Sequence, residues 1–130
     1  MNAGPTISRR AGRRTAFFLV YQWDVTGQPL ASLYEGEVDE FARATAEAVV
    51  GRADELDARI TAAAEGWPAD RLGTVERSVL RIAVYELEEG RVPVEVVIDE
   101  AIRLAKRYAS DEAAKLVNGI LGRIAREAAA

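Results

Sequence analysis

The stretch Val94-Glu95-Val96-Val97-Ile98-Asp99-Glu100-Ala101-Ile102-Arg103-Leu104-Ala105-Lys106-Arg107-Tyr108 decides the fold class. Its opening residues are rich in β-branched side chains and, taken alone, read as a strand. Yet Val94, Val97, Ile98, Ala101, Ala105 and Tyr108 keep helical spacing over the whole length. Val92-Pro93 stands just before it, where a helix can start. Asp99 and Arg103 are four apart, the separation of a helical ion pair. With this segment helical, the chain reads as all-α.

On the C-terminal side, Ser110 or Asp111 caps a last helix. Ala114, Val117, Ile120, Leu121 and Ile124 form its stripe, and Asp111 pairs with Lys115. Asn118-Gly119 would normally signal a turn, but the stripe runs through it. Towards the N-terminus, Gly73-Thr74 starts a helix whose face is Val75, Val79, Ile82 and Ala83, and Gly90 is its C′ residue. Gly66-Trp67-Pro68 breaks the pattern; Pro68 suits the first position of a short helical turn, and Trp67 reads as a core residue where two groups of helices meet. A single long helix fits Val38 to Glu65, with Phe41 as an anchor, Val49, Ala53, Leu56, Ile60 and Ala63 on one face, and Gly51 as a weak point. Thr26 to Pro29 is a turn, followed by a short apolar-acidic stretch to Gly36. The first helix runs from Arg9 to Val25 behind Ser8 as N-cap. The expected architecture is five main helices in two small bundles, packed into one domain over 9–130, with 1–8 as a loose tail.

Composition narrows function. The 130 residues contain no cysteine and no histidine. That removes thiolate and imidazole metal ligands and the usual general base near neutral pH. None of the four serines has a histidine to activate it. The expectation is a protein with no catalytic residues, metal or cofactor. No run approaches the ~20 apolar residues of a membrane span, and the apolar stretch after the first arginines is too short for a signal peptide. The cytoplasm is the default location.

Charge is distributed unevenly. The net value is −4, but residues 1–14 hold four arginines and no acid, leaving the remainder at −8. Nucleic acid can therefore be held only at a local patch. Plotted on a helix, Arg9, Arg10, Arg13 and Arg14 fall within about 140° of arc, and Tyr21 lies lower on the same stripe. Cations at a helix N-terminus oppose the macrodipole by about 0.3–1 kcal/mol each. An anionic ligand would compensate. If all four reach phosphates of a single strand, log K should fall with log salt at a slope of about −3. Glu86 sits where an apolar residue would continue the Val75–Val79–Ile82 face, so it lies at a rim or is buried and paired.

The chain resembles the NusB family. The segments that carry the resemblance are Arg9-Arg10-Ala11-Gly12-Arg13 leading into Val20-Tyr21-Gln22-Trp23; Trp67 through Asp70-Arg71-Leu72-Gly73 to Val75-Glu76-Arg77; Leu80-Arg81-Ile82-Ala83 with Tyr85-Glu86-Leu87; Val92-Pro93 with Val97-Ile98-Asp99-Glu100-Ala101 and Leu104-Ala105-Lys106; and Lys115-Leu116-Val117-Asn118-Gly119-Ile120-Leu121. Their order and spacing span residues 9 to about 124. The resemblance implies an all-helical fold of two small bundles. It implies binding of boxA RNA jointly with NusE, a small-subunit ribosomal protein, in the transcription elongation complex that resists termination, notably on ribosomal RNA operons. By position it assigns Arg9, Arg10 and Arg13 to RNA, Tyr21 and Glu86 to the NusE-facing surface, and Lys115 and Asn118 to the RNA border. Gly122 and Leu116 depart from the family pattern. Arg14, often acidic in relatives, joins the RNA set on charge and helical position alone.

Other readings stand beside this one. Lys115 could be only half of an ion pair, and Asn118 a structural hydrogen-bonding residue. The arginines could serve a helical adaptor that binds an acidic protein. An enzyme of the ribosomal-RNA methyltransferase type, in which such a domain precedes a catalytic one, needs a nucleotide-cofactor domain and a catalytic cysteine. DNA binding through the helix pair around Gly73 lacks basic residues in the presumed recognition helix. Whether the free protein is a monomer or a homodimer is left open.

Overall fold

The computed structural model describes residues 8–65 and 71–129, so the expectations for residues 1–7, Trp67 and Pro68 lie outside the described residues. Six α-helices account for the described chain: α1 Arg9–Thr26, α2 Glu40–Gly51, α3 Ala53–Ala63, α4 Thr74–Glu89, α5 Val94–Tyr108 and α6 Asp111–Ala129, with a 3-10 turn at Leu30–Leu33. The decisive segment is helical throughout as α5, with Val97, Ala101 and Ala105 buried.

Local chemistry sets the helix ends. The Ser8 hydroxyl accepts the Ala11 N–H at 3.1 Å, and the Ser110 hydroxyl accepts the Ala113 N–H at 3.0 Å. These satisfy amide groups that have no partner inside the helix. Gly27 ends α1 at φ 70°, and Gly90 ends α4 at φ 68°. A side chain at either would strain the backbone, which is why glycine suits these ends.

The long helix expected over 38–65 is two helices. Arg52 leaves helical geometry at φ −118°, ψ 18°, and its N–H is shared between the Ala48 and Val49 carbonyls. Gly51 is the weak point that permits this, and the Arg52 guanidinium bonds Glu55 and Glu88 outside the helix path. Val49, Ala53, Leu56, Ile60 and Ala63 all stay buried across the break. The apolar spacing therefore identified the buried face and was silent about the bend. The two surface pairs also differ from expectation. Arg103 meets Glu100 at 3.5 Å, and Lys115 meets Glu112 at 3.7 Å, both one turn apart at i,i+3.

Helix α4 is the centre. It packs on α1, α2, α3, α5 and α6, and Ser78 through Val84 are buried without interruption. An N-terminal pair, α1 with α2, and a C-terminal pair, α5 with α6, are built on it, and α3 closes against α4 and α6. Phe17, Leu56, Ile60, Leu80 and Leu121 are among the fully buried anchors, each worth about 1.5–3 kcal/mol of transfer free energy. Among the described residues no helix is long and apolar enough to cross a membrane.

Candidate nucleic-acid interface

The arginine helix start is held by α2, α4 and α5. Gly12 allows the closest approach: a Cβ there would stand 2.7 Å from the Phe41 ring and 3.1 Å from Asp39 Oδ2. Phe41 thus seats against α1, and Arg9 lies over its ring at 4.3 Å while Arg13 approaches it at 5.9 Å.

The four arginines do not form one exposed patch. Arg13 Nε and Nη2 donate to the two oxygens of Glu86 at 2.7 and 2.9 Å. Both side chains are only 6% exposed. Arg13 is therefore turned inward instead of toward solvent, and Glu86 takes the buried and paired alternative of its two readings. Each is spent on the other, because a lone charge so deeply buried would cost several kcal/mol. Glu86 still lines a cleft of about 110 Å³ between α2 and α4, with Phe41, Thr45 and Tyr85.

Arg10 is bidentate to Glu100 at 3.0 and 3.0 Å, yet its side chain remains 57% exposed. Burial pushes the Glu100 carboxyl up, but the bonds and charge of Arg10, with Arg103, outweigh it and hold the group below its ordinary value. Arg14 is exposed and has no ion-pair partner among the described residues. Arg10, Arg13 and Arg14 share a cleft with Glu100, Arg103, Leu104 and Arg107 of α5. With Arg13 committed to Glu86, four arginines there face one carboxylate.

Lys115 and Asn118 lie elsewhere, in a groove between α5 and α6 with Ile102, Lys106, Asp111 and Glu112. Two cations there meet two acids, so that groove has no charge excess. Tyr21 is half-buried, its ring 6.1 Å from that of Phe17. Sequence reasoning did not assign Glu100, Arg103 or Arg107 to the site, and read Arg103 only as an ion-pair partner of Asp99. Their spacing puts them on one polar face of α5, but which helix covers that face is a tertiary fact. Among the described residues no group of His, Cys, Asp or Glu could hold a metal ion.

The NusB family model matches residues 10–126. The transcription antitermination protein NusB of Rubrobacter xylanophilus is 41% identical over 122 residues, covering 88% of each chain. The solved structure of T. maritima NusB is 35% identical with a TM-score of 0.84, covering 95% of this chain and 94% of that one. A chain from a crystal structure of the antitermination factors NusB and NusE in complex with double-stranded RNA is 30% identical with a TM-score of 0.79, covering 92% and 96%. The chain belongs to the NusB family, a family of RNA-binding antitermination factors rather than of enzymes.

Proposed function

We propose that the chain is a transcription antitermination factor that binds boxA-type single-stranded RNA jointly with NusE. In the elongation complex it would help RNA polymerase resist termination, notably on ribosomal RNA operons. The observation that carries this reading is the unbalanced positive charge at the α1–α5 cleft of an otherwise acidic chain. The matched structure in which NusB and NusE hold RNA supports the partner set. The working unit would be residues 9–130 in the cytoplasm, without cofactor.

Arg9, Arg10 and Arg14 are the phosphate contacts in this reading. Arg13 acts through Glu86, fixing the arginine turn of α1 to α4. Lys115 and Asn118 border the strand from the neighbouring groove, and Tyr21 with the rim of the Glu86 cleft receives NusE. Linking the two surfaces raises affinity by joint occupancy. A homodimer of the free protein that covers the arginines would oppose RNA binding, and sedimentation across a concentration series tests for it.

Titration of a boxA oligonucleotide with and without NusE is the direct test. NusE should tighten binding, and replacing Arg9, Arg10 and Arg14 by Gln should reduce the salt slope by about 2. Absence of RNA binding under both conditions would overturn the reading. NusE binding without RNA binding would favour the adaptor.

A further inference from the structure

The α1–α5 cleft continues into an aromatic surface that phosphate binding does not account for. Phe18 follows Arg14 by one helical turn and is 41% exposed. Its ring meets that of Tyr108 edge-on at 5.1 Å and 75°. Tyr108 also stacks on buried Phe17 at 5.3 Å, so the pair is backed by the core. Arg107 sits beside it, its guanidinium 5.5 Å from the Tyr108 ring and its Nε bonded to the Tyr108 hydroxyl at 3.2 Å. A large exposed aromatic ring on a rigid mount, rimmed by arginines, is the arrangement on which unpaired bases stack while phosphates are neutralised.

The charge pattern supports the same ligand. Arg107 and Lys106 lie in the last turn of α5, where the helix dipole favours them. Arg103 lies a turn earlier, and Arg10 and Arg14 lie in the first two turns of α1, where the dipole does not. Glu100 offsets one of these charges. The other acids of the outer face of α5, Glu95 and Asp99, stand a turn or more towards its N-terminus. The C-terminal half of that face, next to Phe18, is left positive.

We infer that Phe18, backed by Tyr108, stacks on a base of single-stranded RNA whose adjoining phosphates are held by Arg103 and Arg107. This rests on the RNA-binding reading above and adds to it a base-contacting position and two further phosphate contacts.

The test uses the full chain, with NusE present, and a boxA oligonucleotide carrying 2-aminopurine at successive positions. Wild type should quench one position, as stacking does. Phe18→Ala should abolish that quenching and weaken binding about 5-fold or more, with the salt slope unchanged. Arg103→Gln with Arg107→Gln should reduce the slope by about 1.4 and keep the quenching. Phe18→Trp should restore both quenching and affinity, which a merely structural role for the ring would not require. If wild type binds the RNA and all these variants match it, the inference is overturned while the proposed function stands. If wild type binds no RNA but captures a polyglutamate peptide through the same arginines, both readings fail and the cleft is a protein-docking surface.

Discussion

Two arginine clusters in this molecule look alike in composition and differ in outcome. Arg77 and Arg81 of α4 are matched by Asp24 of α1 and Asp57 of α3. Arg81 is bidentate to Asp57 at 2.7 and 2.7 Å and reaches Asp24 at 3.3 Å, while Arg77 bonds Asp24 at 2.8 Å. Trp23 lies against Arg81 at 5.5 Å. Burial lowers the Arg81 pKa, but Asp57 and then Asp24 more than restore it, so the group is held more firmly charged than usual. Among the described residues two arginines meet two aspartates there, and the cluster is a tie between helices. At the α1–α5 cleft, Arg10, Arg14, Arg103 and Arg107 share Glu100. That cluster is left open to an anion. Arginine content does not separate a strut from a binding surface; the count of carboxylates brought within reach does.

The comparison can be broken most severely at the pair that joins the open cluster to the core. Glu86→Ala should destabilise the protein by about 3–5 kcal/mol in denaturant unfolding, because Arg13 is left buried without a partner. The double replacement Arg13→Met with Glu86→Leu should recover most of that loss. If the double variant folds well yet no longer binds NusE, Glu86 has a partner role beyond its pairing.

Arg81→Ala comes next. It should cost about 2–3 kcal/mol, less than the Glu86 change because Asp57 is partly exposed and water can solvate it. A loss below 0.5 kcal/mol would show that the balanced cluster is not a tie.

Gly12→Ala should cost about 1–3 kcal/mol, since the new methyl meets the Phe41 ring. It should also weaken RNA binding by moving the ring beneath Arg9. Unchanged stability and unchanged binding would remove Phe41 from the support of the arginine turn.

The open cluster should behave in the opposite way. Arg14→Gln, Arg103→Gln and Arg107→Gln together should change stability by no more than about 0.5 kcal/mol, while the salt dependence of RNA binding falls.

The smallest expected effect is in acid. The folded-state pKa of Glu100 is lowered, so its contribution is complete above the ordinary carboxylate value. It is lost as pH falls through the lower folded value. Wild type should therefore lose more stability than Glu100→Gln between about pH 5 and pH 3. Parallel curves for the two proteins would contradict the Arg10–Glu100 pairing.

Much of the fold is legible in the sequence. The spacing of Val97, Ala101 and Ala105 separated helix from strand in α5, and the stripe of α6 ran through Asn118-Gly119 as expected. Ser8, Ser110 and Gly90 ended helices because their chemistry acts within a few residues of itself. The bend at Arg52 was not readable, because it depends on where Glu88 of another helix lies.

The sequence by itself determined which stretches are helical, apart from the break at Arg52, and also their buried faces, the concentration of positive charge at the first turn of α1 and the family. Periodicity and capping are local, and charge is a matter of counting. Only the tertiary structure decided which arginines remain available. Arg13 and Arg14 are neighbours in the chain, but 100° of helical rotation turns one into the core against Glu86 and the other outward. Phe18 likewise became part of a surface only when α5 brought Tyr108 and Arg107 beside it. The partner residue in each case lies more than seventy positions away, where no local rule reaches.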